Sequence, residues 1–362
     1  MKADISIDAR LINAAGIGTF LKAVVDEVAS RRHLNLILLY WAKDRETVAS
    51  YRAQRLIQVK SPIYSLKEQL EIPLKIPPCS LFYSPHINIP LLPIRAQKRL
   101  TTIHDTYHLA HAKQIPFFER LYASLFYNAI QLYSDRITTV SQFSYDSIHR
   151  YCRFVSKSIS IISSGVHTRF SPTDSCVLET HGIAKPYLLT VGSLKPHKNI
   201  KRLIQAYAKL NLQEPLILVG SNKMRTIDTE LFEVIKKLNL ENKIRWLGYV
   251  KDGDLPSLYS SASLFIFPSL YEGFGHPPLE AMACGCPVLA SRNASIPEVC
   301  ADAAEYFNPI DSQELADKIL FLLQHEAKRE ELRKKGFARA QHFPLQRSAS
   351  SLVDLMEKLI HE

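Results

Sequence analysis

The sequence predicts an α/β protein made of two doubly wound domains. Three observations predict it. Short β-branched apolar runs alternate with amphipathic helical stretches, the alternation breaks at a polar irregular segment and then restarts, and 362 residues exceed one ordinary core. Alternation of this kind implies parallel sheets covered on both faces, because each parallel pairing needs a crossover.

In the first half, strands are predicted near residues 5–9, 34–40, 56–59, 81–84, 100–104, 136–140 and 158–162. The run LNLILLYWA (34–42) is the longest strongly apolar segment. It has roughly half the length that crosses a bilayer, which suits a strand and not a membrane span. Helical stretches at 19–29 and 118–132 lie between the strands. The segment 169–186 is polar and irregular and reads as a linker. The rhythm then restarts with YLLTVG (187–192), PLILVG (215–220), KIRWLG (243–248), SLFIFP (263–268) and PVLAS (287–291), with helices between them. The expected division is a first domain at 1–168, the linker, a second domain at 187–345, and a terminal helix within 346–362 that folds back toward the first domain. In doubly wound sheets, ligands sit beyond the carboxyl ends of the strands. A cleft where the two domains face each other is therefore the expected site.

Composition bounds the function. With 46% hydrophobic and 22% charged residues and no low-complexity run, the chain is that of a soluble globular protein. The start MKADISIDAR alternates like a strand and carries two acids, unlike a signal peptide, so a cytoplasmic location is expected. The six cysteines (79, 152, 176, 284, 286 and 300) are scattered and read as buried thiols. Cys284-Gly-Cys286 lacks a second pair at ligand spacing, so no metal site is expected there. Residues 1–170 hold 22 of the 45 basic and 12 of the 35 acidic residues, so the whole excess of +10 lies in that half. A positive field favours phosphates or acidic lipid, and it equally fits a plain soluble surface. Nucleic acid is not expected, since no aromatic-basic interleaving accompanies the charge.

The chemistry concentrates in YEGFGHPPLEAMACGCPVLAS (271–291). It follows a predicted strand, so 269–275 is a strand-to-helix loop. Pro277 and Pro278 suit the first helical turn, where missing N–H groups cost little, and Gly285 suits the C′ position. Gly273 and Gly275 let backbone approach a ligand, and the helix amino end favours an anion. Glu272 and Glu280 flank that position. Carboxylates oppose a phosphate, so they are expected to accept hydrogen bonds from hydroxyls. A phosphate between two hydroxyl-bearing groups describes a nucleotide sugar.

This stretch resembles the E-x7-E region of the retaining family-4 glycosyltransferases, which have the GT-B fold of two facing Rossmann-like domains. Five further segments resemble that family in order: IDARLINAAGIGTF (7–20), LTTIHDTYH (100–108), ITTVSQFSYDSI (137–148), IISSGVHTRF (161–170) and WLGYVKDGDLPSLYSSA (246–262). A sixth, VGSLKPHKNI (191–200), resembles the phosphate segment of its mannosyltransferase-like members. The resemblance implies that Glu272 contacts donor-sugar hydroxyls, Glu280 the ribose, and the amides of Phe274, Gly275 and His276 the sugar and diphosphate. It implies that Lys198 neutralises the leaving diphosphate, with Ser193 and His197 beside it, and that backbone at Tyr249 and Val250 reads the base. Gly16 and Gly18 are implied at the phosphates, and His104 near the reacting carbon. Same-face attack is implied, with the departing phosphate taking the acceptor proton and no protein nucleophile. No metal or other cofactor is implied.

Departures from the family pattern occur at Ser193 and His197, where many members carry arginine, and at Ser164-Gly165-Val166-His167 in place of Asn-Gly-Val-Asp. With His197, cationic support for the diphosphate becomes weaker or pH-dependent. Asp252-Gly253-Asp254 is read as a turn with Asp254 capping the next helix, not as a metal site. Gly16-x-Gly18 lacks the third glycine of a dinucleotide fingerprint, so NAD is excluded.

The implied activity is transfer of a hexose, with GDP-mannose favoured over UDP-glucose, UDP-N-acetylhexosamine and dTDP-rhamnose. The implied acceptor is a saccharide or lipid-linked precursor of cell-envelope polysaccharide or lipopolysaccharide. Peripheral contact with anionic lipid at the inner face of the plasma membrane is a further expectation. The alternatives are a sugar-nucleotide epimerase or phosphorylase on the same fold, and a non-catalytic nucleotide-sugar-binding partner of another transferase.

Overall fold

Parallel strands pair in two sheets. In the first, β1 (Ala3–Asp8), β2 (Leu34–Trp41), β3 (Arg55–Val59), β4 (Cys79–Ser84), β5 (Ala96–Ile103), β6 (Arg136–Thr139) and β7 (Ile159–Ile161) run in the order β3-β2-β1-β4-β5-β6-β7. In the second, β8 (Leu188–Val191), β9 (Leu216–Val219), β10 (Ile244–Gly248), β11 (Leu264–Phe267), β12 (Val288–Ser291) and β13 (Ala304–Phe307) run in the order β10-β9-β8-β11-β12-β13. Six of the connecting helices matter here: α1 (Ile17–Ser30), α2 (Glu68–Lys75), α3 (Phe117–Tyr133), α4 (Leu255–Ser261), α5 (His276–Ala283) and α6 (Leu345–His361). The structure is a computed structural model that describes residues 3–14, 16–112, 115–152, 158–173, 176–220 and 225–362. Met1, Lys2, Ala15, Asp174, Ser175 and the Cys176 side chain, which belong to segments discussed above, lie outside the described residues.

The chain forms two compact units, residues 1–165 with 345–362, and residues 166–344. In the first unit, β2 is buried along nearly its whole length, as its unbroken apolar run requires of a strand covered on both faces. The helix α1 turns Phe20, Leu21, Val24, Val25 and Val28 to the sheet, and α6 adds Leu352, Val353, Met356 and Leu359 to the same core. Arg31 ties the two helices together, reaching Asp354 at 2.7 Å and Glu357 at 3.1 Å while also holding Glu27 at 2.8 Å.

In the second unit, all but one of the residues of β8 and every residue of β9, β11 and β12 are buried. Gly220, just past β9, has φ +139°, and a Cβ there would lie 1.8 Å from the Gly192 carbonyl oxygen. Only glycine lets the ends of β8 and β9 come so close. Gly285 is C′ of α5 with φ +75°, and a Cβ would meet the Phe337 ring at 2.7 Å.

Two sequence expectations change. The segment 169–186 is not a free linker. It packs within the second unit: Phe170 is buried edge-on to Tyr259 with ring centroids 6.1 Å apart, and a short helix spans Cys176–Thr180. Leu178 and Ile183 are buried as well, so its scattered apolar residues are what dock it. The sheet also gains β13, whose four residues AEYF mix two strand formers with Ala and Glu and make too short a run to stand out as a strand.

Candidate active site

The second sheet changes direction between β8 and β11, which is the switch point where an open α/β sheet offers a binding site. Both neighbouring strands send their following loops there. After β8, the chain makes a single turn, Pro196–Lys198, and Asn199 adopts the left-handed conformation with φ 59°. Asparagine tolerates that conformation. Its side-chain amide donates to the Pro268 carbonyl at 3.0 Å and the Pro309 carbonyl at 2.8 Å.

The loop after β11 is fixed by its carbonyl oxygens. Ser291 Oγ donates to Ser269 O at 2.5 Å, Asn293 Nδ2 to Leu270 O at 2.6 Å, and Ser295 Oγ to both Glu272 O (2.9 Å) and Phe274 O (2.8 Å). Leu270 N donates to His197 O at 2.7 Å, joining the two loops. Sequence reasoning missed Asn199, Ser291, Asn293 and Ser295, because small polar residues in loops carry no spacing signal.

On this frame Lys198 Nζ lies 2.6 Å from Glu272 Oε1, both side chains mostly covered. The ammonium also stands 5.8 Å from the centre of the Phe267 ring. The helix α5 begins at His276 with Gly275 as N-cap, φ +114°, and no side-chain cap. A Cβ on Gly275 would meet nothing within 4 Å, so its backbone borders open space. Pro277 and Pro278 bring no N–H, which leaves the backbone at 274–276 to supply donors at this end. The Phe274 ring is buried against Phe343, with centroids 5.7 Å apart.

Glu280, one turn into α5, accepts from the Tyr259 hydroxyl of α4 at 3.0 Å. Burial pushes its carboxyl up to about 7, against the pull of the Tyr259 hydroxyl and the Arg169 charge, while Asp252 adds to the rise. Asp252, two residues after Val250, sits 3.7 Å from Arg169. Tyr249 is exposed and Val250 buried, and Ser193 and His197 are partly exposed. Tyr259, one tyrosine among 16, was not legible in advance.

A raised carboxyl pKa makes the ionised form costly to the fold. The favourable contribution is present below the unfolded value near 4 and lost as pH rises through about 7. Glu280→Gln is therefore expected to raise the thermal midpoint at pH 8 and change it little at pH 5. The effect is worth at most about 3 kcal/mol. Differential scanning calorimetry at both pH values measures it, and equal shifts would contradict the assignment.

Asp254 corrects the sequence reading. It occupies the N-cap of α4, but its helical backbone (φ −89°, ψ −21°) does not aim the carboxylate at the helix amides. The carboxylate instead faces His181 Nε2 at 3.3 Å, while Asp252 faces Arg169. The buried Cys286 thiol donates weakly to the Ala262 carbonyl at 3.6 Å, and burial pushes the neighbouring Cys284 thiol up to about 12.

In the first unit, Gly16 is the N-cap of α1 with φ +74°, and nothing lies near where its Cβ would be. Gly18 serves packing, because a Cβ would come 2.6 Å from the Ile12 carbonyl oxygen. His104, just past β5, has Nε2 at 2.9 Å from the Pro85 carbonyl. A carbonyl only accepts, so Nε2 carries the proton. Burial pushes this imidazole down to about 4, which keeps it neutral near pH 7 with Nδ1 as an acceptor. Next to Pro85, His86 contacts Asp8 Oδ2 at 3.1 Å and accepts from Asn88 N at 3.1 Å. Arg10 joins Asp8 (2.6 Å) to Glu68 (2.7 Å), all fully buried at the switch point between β1 and β4.

Residues 179–339 match the family described as glycosyl transferases group 1. The chain is 35% identical over 283 residues to the O-antigen chain mannosyltransferase B of Escherichia coli, covering 74% of this chain and 72% of that one. It is 30% identical over 237 residues to the serotype-specific mannosyltransferase WbdA of Escherichia coli, spanning 63% of this chain and 29% of that longer protein. Its fold is similar to that of Anabaena HepE in complex with UDP-glucose, with a TM-score of 0.84 over 99% of this chain and 100% of that one at 20% identity. Sheets, family and relatives define a glycosyltransferase of the GT-B class. Within that class, the chain belongs to the glycosyl transferases group 1.

Proposed function

We propose that this protein is a retaining mannosyltransferase that moves mannose from GDP-mannose to a saccharide or lipid-linked acceptor in O-antigen or lipopolysaccharide synthesis. The observation that carries the reading is the Lys198–Glu272 contact of 2.6 Å on the loop that leads into α5, whose N-cap Gly275 brings no capping side chain. Lys198 and that helix end supply positive charge where a diphosphate leaves. Glu272, held by Lys198, accepts hydroxyls of the sugar, and Glu280 with Tyr259 accepts the ribose hydroxyls. Amides of Phe274 to His276 meet the sugar and diphosphate, Ser193 and His197 flank them, and backbone at Tyr249 and Val250 reads the base.

The C1–O bond to the diphosphate breaks with its electron pair going to the phosphate oxygen. The acceptor hydroxyl attacks C1 on the same face and gives its proton to that oxygen. No protein nucleophile enters, and Glu272 positions. The roles of Gly16, Gly18 at the phosphates and of His104 toward a sugar hydroxyl rest on the family resemblance. The choice of mannose is supported by the names of the relatives, both mannosyltransferases.

Thermal-shift measurements against GDP-mannose, UDP-glucose, UDP-N-acetylglucosamine and dTDP-rhamnose test the donor. A donor at ten to a hundred times its dissociation constant is expected to stabilise by about 1.4 to 2.7 kcal/mol. GDP-mannose should give the largest shift, and acceptor-dependent transfer should yield the α-mannoside by proton NMR. A larger shift with another donor overturns the choice of GDP-mannose. A β-linked product overturns retention, and donor epimerised without acceptor overturns transfer.

A further inference from the structure

The helices on the two sides of the first sheet treat water very differently. The sheet order and right-handed crossovers place α1 on one side and α2 and α3 on the other. No large apolar side chain of α1 or α6 is exposed among the described residues. On α2, by contrast, Leu66 just before the helix, Leu70 and Leu74 are 86%, 61% and 76% exposed, one row at four-residue spacing. On α3, Phe118, Leu121 and Leu125 form a second exposed row, which Leu132 extends. Half of the large apolar side chains exposed among the described residues, counting Tyr64, Phe117 and Tyr133, belong to this face.

The two rows join. Tyr64, ahead of α2, meets Tyr122 of α3 edge-on with ring centroids 5.9 Å apart. Gln69 of α2 donates to Ile89 O at 3.2 Å and accepts from Leu91 N at 2.9 Å. Arg99 then grips the Pro90 carbonyl at 3.2 Å and reaches the Tyr133 ring at the end of α3.

Charge at the margin selects the occupant. Beside Leu74 lies a groove of about 580 Å³ lined by Arg55 and Arg95, and by Lys75, which is paired with Glu71 at 2.7 Å. Lys67 and Arg120 stand exposed on the apolar helices themselves, with Glu119 as the acid on the same turn as Arg120. Leucine and phenylalanine rows with a cationic border suit the boundary between acyl chains and anionic headgroups.

We propose that the α2–α3 face of the first unit rests on an anionic lipid bilayer, the leucines and phenylalanines entering the headgroup–acyl boundary and Arg55 and Arg95 meeting phosphates. No helix among the described residues is long and apolar enough to cross a membrane, so this contact is lateral and reversible. The proposal goes beyond the donor reading and does not depend on it.

Cosedimentation of the full chain with phosphatidylcholine vesicles, with and without phosphatidylglycerol, at low and high salt, tests it. Binding should require phosphatidylglycerol and weaken with salt. The triple replacement Leu66→Ser, Leu70→Ser, Leu74→Ser should lower the partition by about ten-fold or more. Arg55→Gln with Arg95→Gln should lower it and flatten the salt dependence. Thermal midpoints without lipid verify folding, and Leu70→Trp should show quenching by brominated lipid beyond that of the parent.

Absence of anionic-vesicle binding by the parent, or unchanged binding by the leucine variant, overturns the proposal. So does a parent oligomer that the leucine variant dissociates while vesicle binding stays unchanged, which would mean a second copy covers the face. The donor thermal shift, measured on the same proteins, is expected to be the same in parent and leucine variant. Its absence from both would count against the transferase reading and leave the membrane result standing.

Discussion

Lys198→Ala is expected to lower kcat by about 10²–10³-fold, equivalent to about 2.7–4 kcal/mol of transition-state stabilisation. The reason lies in when charge appears. A bound nucleotide sugar carries its diphosphate charge spread over two phosphates, and cleavage adds charge at the departing oxygen. A cation fixed beside that oxygen gains interaction energy during the step, so its removal should fall on kcat more than on KM. Lys198 is fixed: its ammonium is held 2.6 Å from Glu272 and lies mostly covered. Glu272→Ala should lose a similar factor for a different reason, since it frees Lys198 and, in the proposed function, removes an acceptor for sugar hydroxyls. Steady-state kinetics of both single variants and the double variant separate these effects. Residues that act as a unit give a double variant about as slow as the worse single one. Fully multiplicative losses would mean that the contact seen here has no part in the reaction.

The loop that carries Glu272 was legible in the sequence for physical reasons, while Lys198 was singled out by the family resemblance and its contact with Glu272 by neither. Glycines at 273 and 275, prolines at 277 and 278 and an apolar strand before them permit few backbone paths, so the loop and α5 could be placed closely. The strands with unbroken apolar runs, such as β2 and β9, were equally plain. The helix α2 was not, because Pro73 sits inside it and the sequence there reads as a break. Tertiary contacts hold it: Ile72 and Ile76 pack with Phe82 and Val59 in a core of their own. The pKa of Glu280 also lay beyond the sequence, since it depends on Tyr259, Arg169 and Asp252 arriving from three separate segments. Side chains that act through neighbours distant in the chain leave no local pattern.

Arg10 is the extreme case, and its replacement should have the largest effect on stability. Burial opposes ionisation of Asp8, and the Arg10 guanidinium overcomes it, holding that carboxyl well below the usual carboxylate range. The same guanidinium binds Glu68, which also accepts from Ser65 N at 3.1 Å and from the Asn88 amide. Arg10→Leu would leave two buried carboxylates without their cation, a loss of about 3–5 kcal/mol. The thermal midpoint of the first unit should fall by about 10 °C. The sign with pH distinguishes this from a mere packing defect. In the parent, the depressed Asp8 pKa contributes stability at every pH above its unfolded value near 4, lost only in strong acid. In Arg10→Leu the guanidinium is gone and the His86 contact alone opposes burial, so the Asp8 pKa rises and the carboxyl is costly once ionised. The deficit should therefore widen from pH 5 to pH 8, as denaturant melts at the two values would show. A deficit independent of pH would place the damage in shape alone. Replacing Asp8, Arg10 and Glu68 together by Asn, Met and Gln should recover much of the loss, because no buried charge then stands alone. It should not recover the setting of His86, whose ring is oriented by Asp8 beside the Pro85 carbonyl that holds His104. Stability restored with kcat still low would show that the buried ions serve to orient these histidines, while the fold tolerates their exchange.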